Sequence, residues 1–325
     1  MGQEIPDYLV FIHRIFLPDG QVKLGGLDQI LTYLQKKGKK MLYFEHPLNP
    51  HDHPFSYVKL NQQVLSKKEI RPRKPPLRWL GEVWSDIRFV QKEIRQPLIA
   101  LTADPLASLS ALVLKKLGRI KHYYFHSIDY SENRFGNLIL NKIYQRLFFL
   151  TVNGAAKVGV VSPRIKEKLV ASGVDEKKVI FVPNSPSLEV IGPFQKEIGE
   201  RKIWQLVITC AGIEPKFRLE DILQVFSLLK PKFPQAKLVI IGPTTTDPIY
   251  FEKLVAIVKR NAWENEITFT GFLPKEKNWE IIGQSGVGLA FYDSSHSHVN
   301  FGDSLKIREY AALGLPIVAD KVTFT

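Results

Sequence analysis

The 325-residue sequence predicts an α/β protein of two domains, and three observations predict it. Strand-like apolar runs alternate with helical patterns along nearly the whole chain, the order that lays parallel strands in a sheet with helices on its faces. The alternation lapses after Val182-Pro183-Asn184, where Pro, Ser and Gly accumulate, and restarts at Trp204. The length exceeds one ordinary core and suits two of about 150 residues each. Two Rossmann-like domains facing across a cleft are therefore expected over residues 1–190 and 201–325, with a linker at 191–200.

In the first domain, residues 8–13 read as a short apolar strand. Gly25-Gly26 open a helix in which Leu27, Ile30, Leu31 and Leu34 share a face. Residues 40–44, 98–101, 121–125 and 156–161 read as further strands, with helices between them. Residues 67–76 read as a cationic, proline-stiffened loop, followed by a helix whose Leu80, Val83, Trp84 and Ile87 form one apolar stripe. The second domain repeats this grammar, with strands at 204–210, 238–241, 267–269, 287–291 and 315–319 and a helix at 219–229.

Hydrophobic residues at 45% and aromatics at 11% exclude a disordered chain. The single cysteine, Cys210, rules out an internal disulfide and favours a reducing compartment. No apolar run reaches membrane-spanning length and no signal-peptide pattern opens the chain, so a cytoplasmic location is expected. Residues 1–200 hold 30 Lys+Arg against 19 Asp+Glu, which is +11 of the total +13. Such a basic half points to an anionic partner. Its basic loop and tryptophan-bearing helix suit an anionic membrane surface; no nucleic-acid motif is present.

The most informative segment is Gly302-Asp303-Ser304-Leu305-Lys306-Ile307-Arg308-Glu309-Tyr310, followed by Gly314 and Pro316. It reads as a small-residue loop, a helix and a tight turn into a strand. A helix opening after such a loop offers unpaired N–H groups and its positive dipole end, which suit a phosphate. Lys306 adds a charge, and Glu309, one turn on, can take two sugar hydroxyls. Together these describe a pocket for a nucleotide diphosphate.

Ser304-Leu305-Lys306-x-x-Glu309-Tyr310-x-Ala312-x-Gly314-x-Pro316 resembles the donor-site motif of family-4 retaining glycosyltransferases with the GT-B fold, and the resemblance extends over nearly the whole chain. It implies transfer of a sugar, with retention, from a nucleotide-diphosphate sugar to a carbohydrate or lipid-linked acceptor in polysaccharide or glycolipid synthesis. It also implies that Lys306 and the amides of Asp303, Ser304 and Leu305 hold the diphosphate, that Glu309 grips the ribose, and that Gly271-Phe272-Leu273 hold the base. Gly25 and Gly26 are similar to the loop that approaches the phosphates. Lys216 or Arg218 would neutralise the leaving diphosphate, while His126 bonds a sugar oxygen and Asp129 orients an acceptor.

The chain departs from the family in carrying Phe301 where many members have a glutamate, and Asp303 is the candidate substitute. Nothing resembles a metal-binding Asp-x-Asp pair, so neither a metal nor another cofactor is expected. Relatives continue beyond the point corresponding to Thr325, so the second domain is expected to be incomplete. Two other classes suit parts of the pattern. An epimerase on the same fold would need an added acid/base set in the cleft, and a non-catalytic anion- or nucleic-acid-binding module would exploit the basic half alone.

Overall fold

The computed structural model describes residues 5–16, 22, 25–49, 53–70, 75–295 and 297–321. The chain divides into two compact units, Met1–Pro183 and Asn184–Thr325.

Unit 1 contains β1 (Tyr8–Arg14), α1 (Gly26–Lys36), β2 (Met41–Pro47), β3 (Phe55–Leu60), β4 (Gln63–Glu69), α2 (Pro75–Glu93), β5 (Leu98–Thr102) and α3 (Pro105–Lys116). It continues through β6 (Ile120–Ser127), α4 (Leu138–Gly154), β7 (Lys157–Val160), α5 (Pro163–Ala171) and β8 (Val179–Phe181). Its eight-stranded sheet runs β4-β3-β2-β1-β5-β6-β7-β8. Six strands are parallel, and the β3–β4 hairpin adds antiparallel to β2.

The apolar face read for α1 is the face that packs. Leu27 and Leu31 are buried against Val10, Ile12, Met41, Tyr43 and Leu101, with Ile30 and Leu34 at the margin; each buried aliphatic side chain contributes about 1.5–3 kcal/mol. Helix starts are locally encoded. Asp104 accepts from Leu106 N and Ala107 N to cap α3, and Asn137 caps α4 in the same way.

Three features differ from the expectation. Lys67, Lys68 and Glu69 belong to β4 rather than to a loop, Pro75 and Pro76 start α2, and residues 71–74 of the expected basic loop lie outside the described residues. The four-residue stripe of α2 divides: Val83 and Ile87 turn inward, whereas Leu80 and Trp84 are 60% and 66% exposed. The boundary between the buried and exposed sides of α2 runs through the stripe, between Val83 and Ile87 on one flank and Leu80 and Trp84 on the other. Finally, residues 191–200, expected as a linker, pack into unit 2. Ile191 is fully buried there, Phe194 lies 5.8 Å from Trp279, and Arg201 bonds the carbonyls of Leu313 and Gly314.

Unit 2 contains α6 (Leu188–Ile191), β9 (Lys202–Thr209), α7 (Leu219–Leu229), β10 (Lys237–Ile241), α8 (Pro248–Arg260) and β11 (Ile267–Phe269). After these come α9 (Lys275–Gln284), β12 (Ser285–Ala290), α10 (Ser297–Phe301), α11 (Leu305–Ala312) and β13 (Ile317–Ala319). The sheet is fully parallel, in the order β11-β10-β9-β12-β13. Its strands are covered on both faces, as parallel sheets require. Ile208, Leu238 and Ile240 enter one core with α7 and α8, while their neighbours Val207 and Ile241 enter another with Trp279, Ile282 and Tyr310. Both units are thus Rossmann-like α/β layers, the arrangement expected from the sequence.

Candidate active site

In unit 2 the sequence-predicted residues gather beyond the carboxyl ends of the strands, where open α/β sheets bind ligands. Ser304 precedes α11 without making a capping bond, because its hydroxyl is taken by the Tyr292 hydroxyl. The first-turn amides of α11 therefore lack a side-chain cap, as an anion site at a helix start needs.

Lys306 leaves that turn and runs inward. Its Nζ is enclosed with no hydrogen-bond partner, 4.2 Å from the Phe217 ring centre and 4.8 Å from that of Tyr292. Burial pulls the ammonium down to about 8, and the charge of Lys216 adds to the effect while Glu309 opposes it. Two ring faces return part of the lost hydration, at about 2 kcal/mol for a desolvated cation–π contact. They do not replace an anion.

Glu309 lies one turn along α11 and is 7% exposed; burial pushes its carboxyl up, against a hydrogen bond that Trp279 Nε1 donates to Oε1 at 3.0 Å. Trp279 thereby fixes the carboxylate's orientation. Asp303 occupies a different role from the one expected. Its carboxylate is 2% exposed, pairs with Arg308 Nε at 2.8 Å, and accepts from Asn184 N at 2.8 Å. With both oxygens engaged inside unit 2, it positions the start of α11 and has no free oxygen to offer a sugar in place of the missing glutamate.

The two cations of the loop after β9 part company. Lys216 pairs with Glu214 and lies close enough to Lys306 to depress it. Arg218 is turned away in a left-handed conformation, φ 50°, and is bound by Asp221 at 2.6 Å and Asp320 at 3.3 Å. Gly271 follows β11 with φ 71°, a conformation that strains any residue with a Cβ. Its carbonyl accepts from Gly242 N at 3.1 Å, which leaves Phe272 68% exposed at the strand end and Leu273 packed against the core.

In unit 1, Gly25 precedes α1 and its N–H donates to Asp28 at 2.6 Å. A Cβ on Gly25 would meet nothing closer than 3.9 Å, so packing does not demand the glycine. Gly26 is the first residue of α1. Behind them Arg14 bridges Asp28 at 2.6 Å and Glu45 at 3.0 Å in a buried network. Asp129 lies past β6, half exposed and paired with Arg134 at 2.5 Å.

His126 is a core residue, only 1% exposed. Its Nδ1 is 3.0 Å from Tyr124 Oη, and burial lowers it to about 4, so it is neutral at physiological pH. Gly159 makes room for that pair, since a Cβ there would fall 1.7 Å from Tyr124 Oη. A hidden, neutral imidazole does not meet a donor sugar in this arrangement.

Sequence reasoning missed a buried polar cluster at the end of β1. His13 Nδ1 lies 3.0 Å from Asp104, and its Nε2 lies 3.3 Å from Glu82, which in turn faces Arg78 at 3.4 Å. Burial alone would lower His13, but the attraction of Asp104 and Glu82 outweighs it and raises the imidazolium to about 10. Asp104, which burial would raise, is brought down to about 2 by His13 and its backbone bonds. The three come from segments up to 91 residues apart, and no local spacing links them. Among the described residues, no group of three or more His, Cys, Asp or Glu is arranged to hold a metal ion.

The Glycosyltransferase Family 4 profile matches residues 27–189, half of the chain, and the Glycosyl transferases group 1 profile matches residues 193–324. The chain belongs to Glycosyltransferase Family 4. Its fold is GT-B. The glycosyltransferase of Rickettsia africae is 13% identical with a TM-score of 0.68, over 98% of this chain and 80% of that one. Sucrose-phosphate synthase of Thermosynechococcus elongatus is likewise 13% identical, with a TM-score of 0.66 over 98% of this chain and 82% of its own. HepE of Anabaena, solved with UDP-glucose, is 15% identical with a TM-score of 0.64, over 97% of this chain and 81% of that chain. No curated protein matches significantly.

Proposed function

We propose that this chain transfers a sugar, with retention, from a nucleotide-diphosphate sugar to a carbohydrate or lipid-linked acceptor. One observation carries the donor half of the reading: the ammonium of Lys306 is enclosed without a hydrogen-bond partner at the uncapped start of α11. A buried charge in that state is costly unless an anion comes to it. A diphosphate supplies the anion, and as it departs its charge grows where Lys306, Lys216 and the helix amides lie, so these groups act on the transition state. Lys216 suits this role better than Arg218, which two carboxylates already neutralise. Glu309 takes the ribose hydroxyls, and Phe272 with the backbone at Gly271 takes the base. In unit 1, Asp129 serves the acceptor.

HepE was solved with UDP and with UDP-glucose, which makes the uridine nucleotides the first probes. Calorimetric titration with UDP, GDP and ADP and their glucose conjugates is expected to show one preferred base. Binding of none of them would overturn the reading. Phe272→Ala should weaken the preferred nucleotide about tenfold, from loss of stacking worth about 1–3 kcal/mol. It should leave the melting temperature unchanged, because the ring is 68% exposed.

A lipid-linked acceptor would place the protein at a membrane surface. No helix among the described residues is long and apolar enough to cross one. The outward row Leu77, Leu80 and Trp84 on α2, in the basic half of the chain, suits contact with an anionic bilayer instead.

A further inference from the structure

Unit 1 contains a cavity of about 330 Å³ between α2 and the β3–β4 hairpin. A helix packed on a sheet ordinarily closes over apolar side chains. Here both walls carry polar side chains among apolar surface, and space is left between them.

The sheet wall is a row across three strands. His46 of β2 bonds Ser56 Oγ of β3 through Nδ1 at 2.7 Å, and Ser56 pairs in register with Lys68 of β4. His46 is fixed from behind by Asp86, 3.0 Å from Nε2, which also accepts from Ser110 at 2.7 Å. The helix wall presents Arg78, Glu82 and Ser85 at i, i+4 and i+7, one face of α2. Arg78 Nε and Glu82 Oε1 are enclosed and face each other at 3.4 Å, yet neither makes a hydrogen bond.

Between Arg78 and Ser85 stands Gly81, inside a helix of 19 residues where glycine is unfavourable. A Cβ there would meet nothing within 4 Å. Neither packing nor a left-handed φ demands this glycine, and its effect is to leave the cavity unobstructed.

We propose that the cavity is a carbohydrate subsite that takes one pyranose unit. Its volume is that of a small-ligand pocket. Sugar hydroxyls both donate and accept, as a wall offering an Arg donor, a Glu acceptor and a Ser hydroxyl requires. Leu77 and Ile70 at its margin give apolar surface for the C–H face of a ring. The subsite lies at the carboxyl end of β2, the edge at which this sheet would meet a ligand. Making this sugar part of the acceptor rests on the function proposed above; binding itself does not.

Saturation-transfer NMR on the full chain tests the assignment, with methyl glycosides of glucose, galactose, N-acetylglucosamine and glucuronic acid as probes and UDP titration in parallel. Gly81→Leu fills the cavity and removes a helix glycine; Ser85→Leu, one turn on, obstructs it independently. At least one glycoside should bind the wild type and weaken at least tenfold in both variants, with UDP affinity unchanged. Glycoside binding that survives both variants would overturn the subsite, as would UDP binding with no glycoside binding. Failure of UDP as well as of every glycoside would count against the functional reading too.

Discussion

Lys306→Met is expected to make the protein more stable and nearly unable to hold its donor. In the free protein the ammonium is enclosed without a hydrogen bond, and its proton is released at about 8 rather than at the ordinary lysine value. A depression of that size corresponds to about 3 kcal/mol of folding free energy forgone while the group is charged. Methionine fills a similar volume against Phe217 and Tyr292 with no charge to desolvate. The melting midpoint should therefore rise by about 5 °C at pH 7. Nucleotide-diphosphate affinity should fall 10- to 100-fold, the worth of a charge-assisted contact. Calorimetry on the two proteins reads both effects. A variant that is less stable, or one that binds as before, would show that the ammonium is satisfied by something other than a diphosphate.

The same lysine sets a pH dependence. An unfolded chain keeps the proton up to the ordinary lysine range, so stability rises with pH between about 8 and that range. Binding moves in the opposite direction. The diphosphate needs the protonated form, so affinity should weaken about tenfold per unit above pH 8, until the pKa of the bound state is reached. The trend should vanish in Lys306→Met. A site that is destabilising when empty and satisfied when loaded is a common bargain between stability and function.

The candidate site of unit 2 was legible in sequence wherever its residues are local. Lys306, Glu309 and the start of α11 lie within one helix, so spacing alone gives their shared face. Their supports come from elsewhere: Phe217 and Tyr292 under Lys306, and Trp279 on Glu309, arrive from three other loops and helices. Asp303 misled because a carboxylate beside a phosphate motif looks available, whereas Arg308, five residues on, closes on it. The β3–β4 hairpin escaped because β4 is exposed along its whole length and β3 is half-buried throughout. Neither strand shows the alternation that marks one buried face. The parallel strands of both sheets were legible as short apolar runs, except β8 at the edge of the first sheet, whose Ile180 and Phe181 are exposed and which sequence reading did not find.

Unit 1 should depend on Asp104 far more than an exposed helix cap would suggest. Its carboxylate holds the His13 imidazolium at 3.0 Å and caps α3 through the amides of Leu106 and Ala107. Asp104→Ala removes the cap, worth about 1 kcal/mol. It also strips a buried cation of its nearest counter-charge, a loss of about 3–5 kcal/mol when one partner of a buried pair is deleted. The pair also writes a pH signature. His13, raised to about 10, adds stability that is complete below the ordinary histidine value of 6.5 and fades as pH rises through 10. Asp104, lowered to about 2, adds stability that is complete above the ordinary aspartate value of 3.8 and fades as pH falls through 2. Their joint contribution is therefore greatest between about pH 4 and 6.5. Urea titrations at pH 5, 7 and 9 should show the wild type losing stability steadily over that series, with a much shallower loss in Asp104→Ala. Equal slopes in the two proteins would mean that His13 is neutral when folded. The end of β1 would then be held by Glu82 and packing rather than by charge.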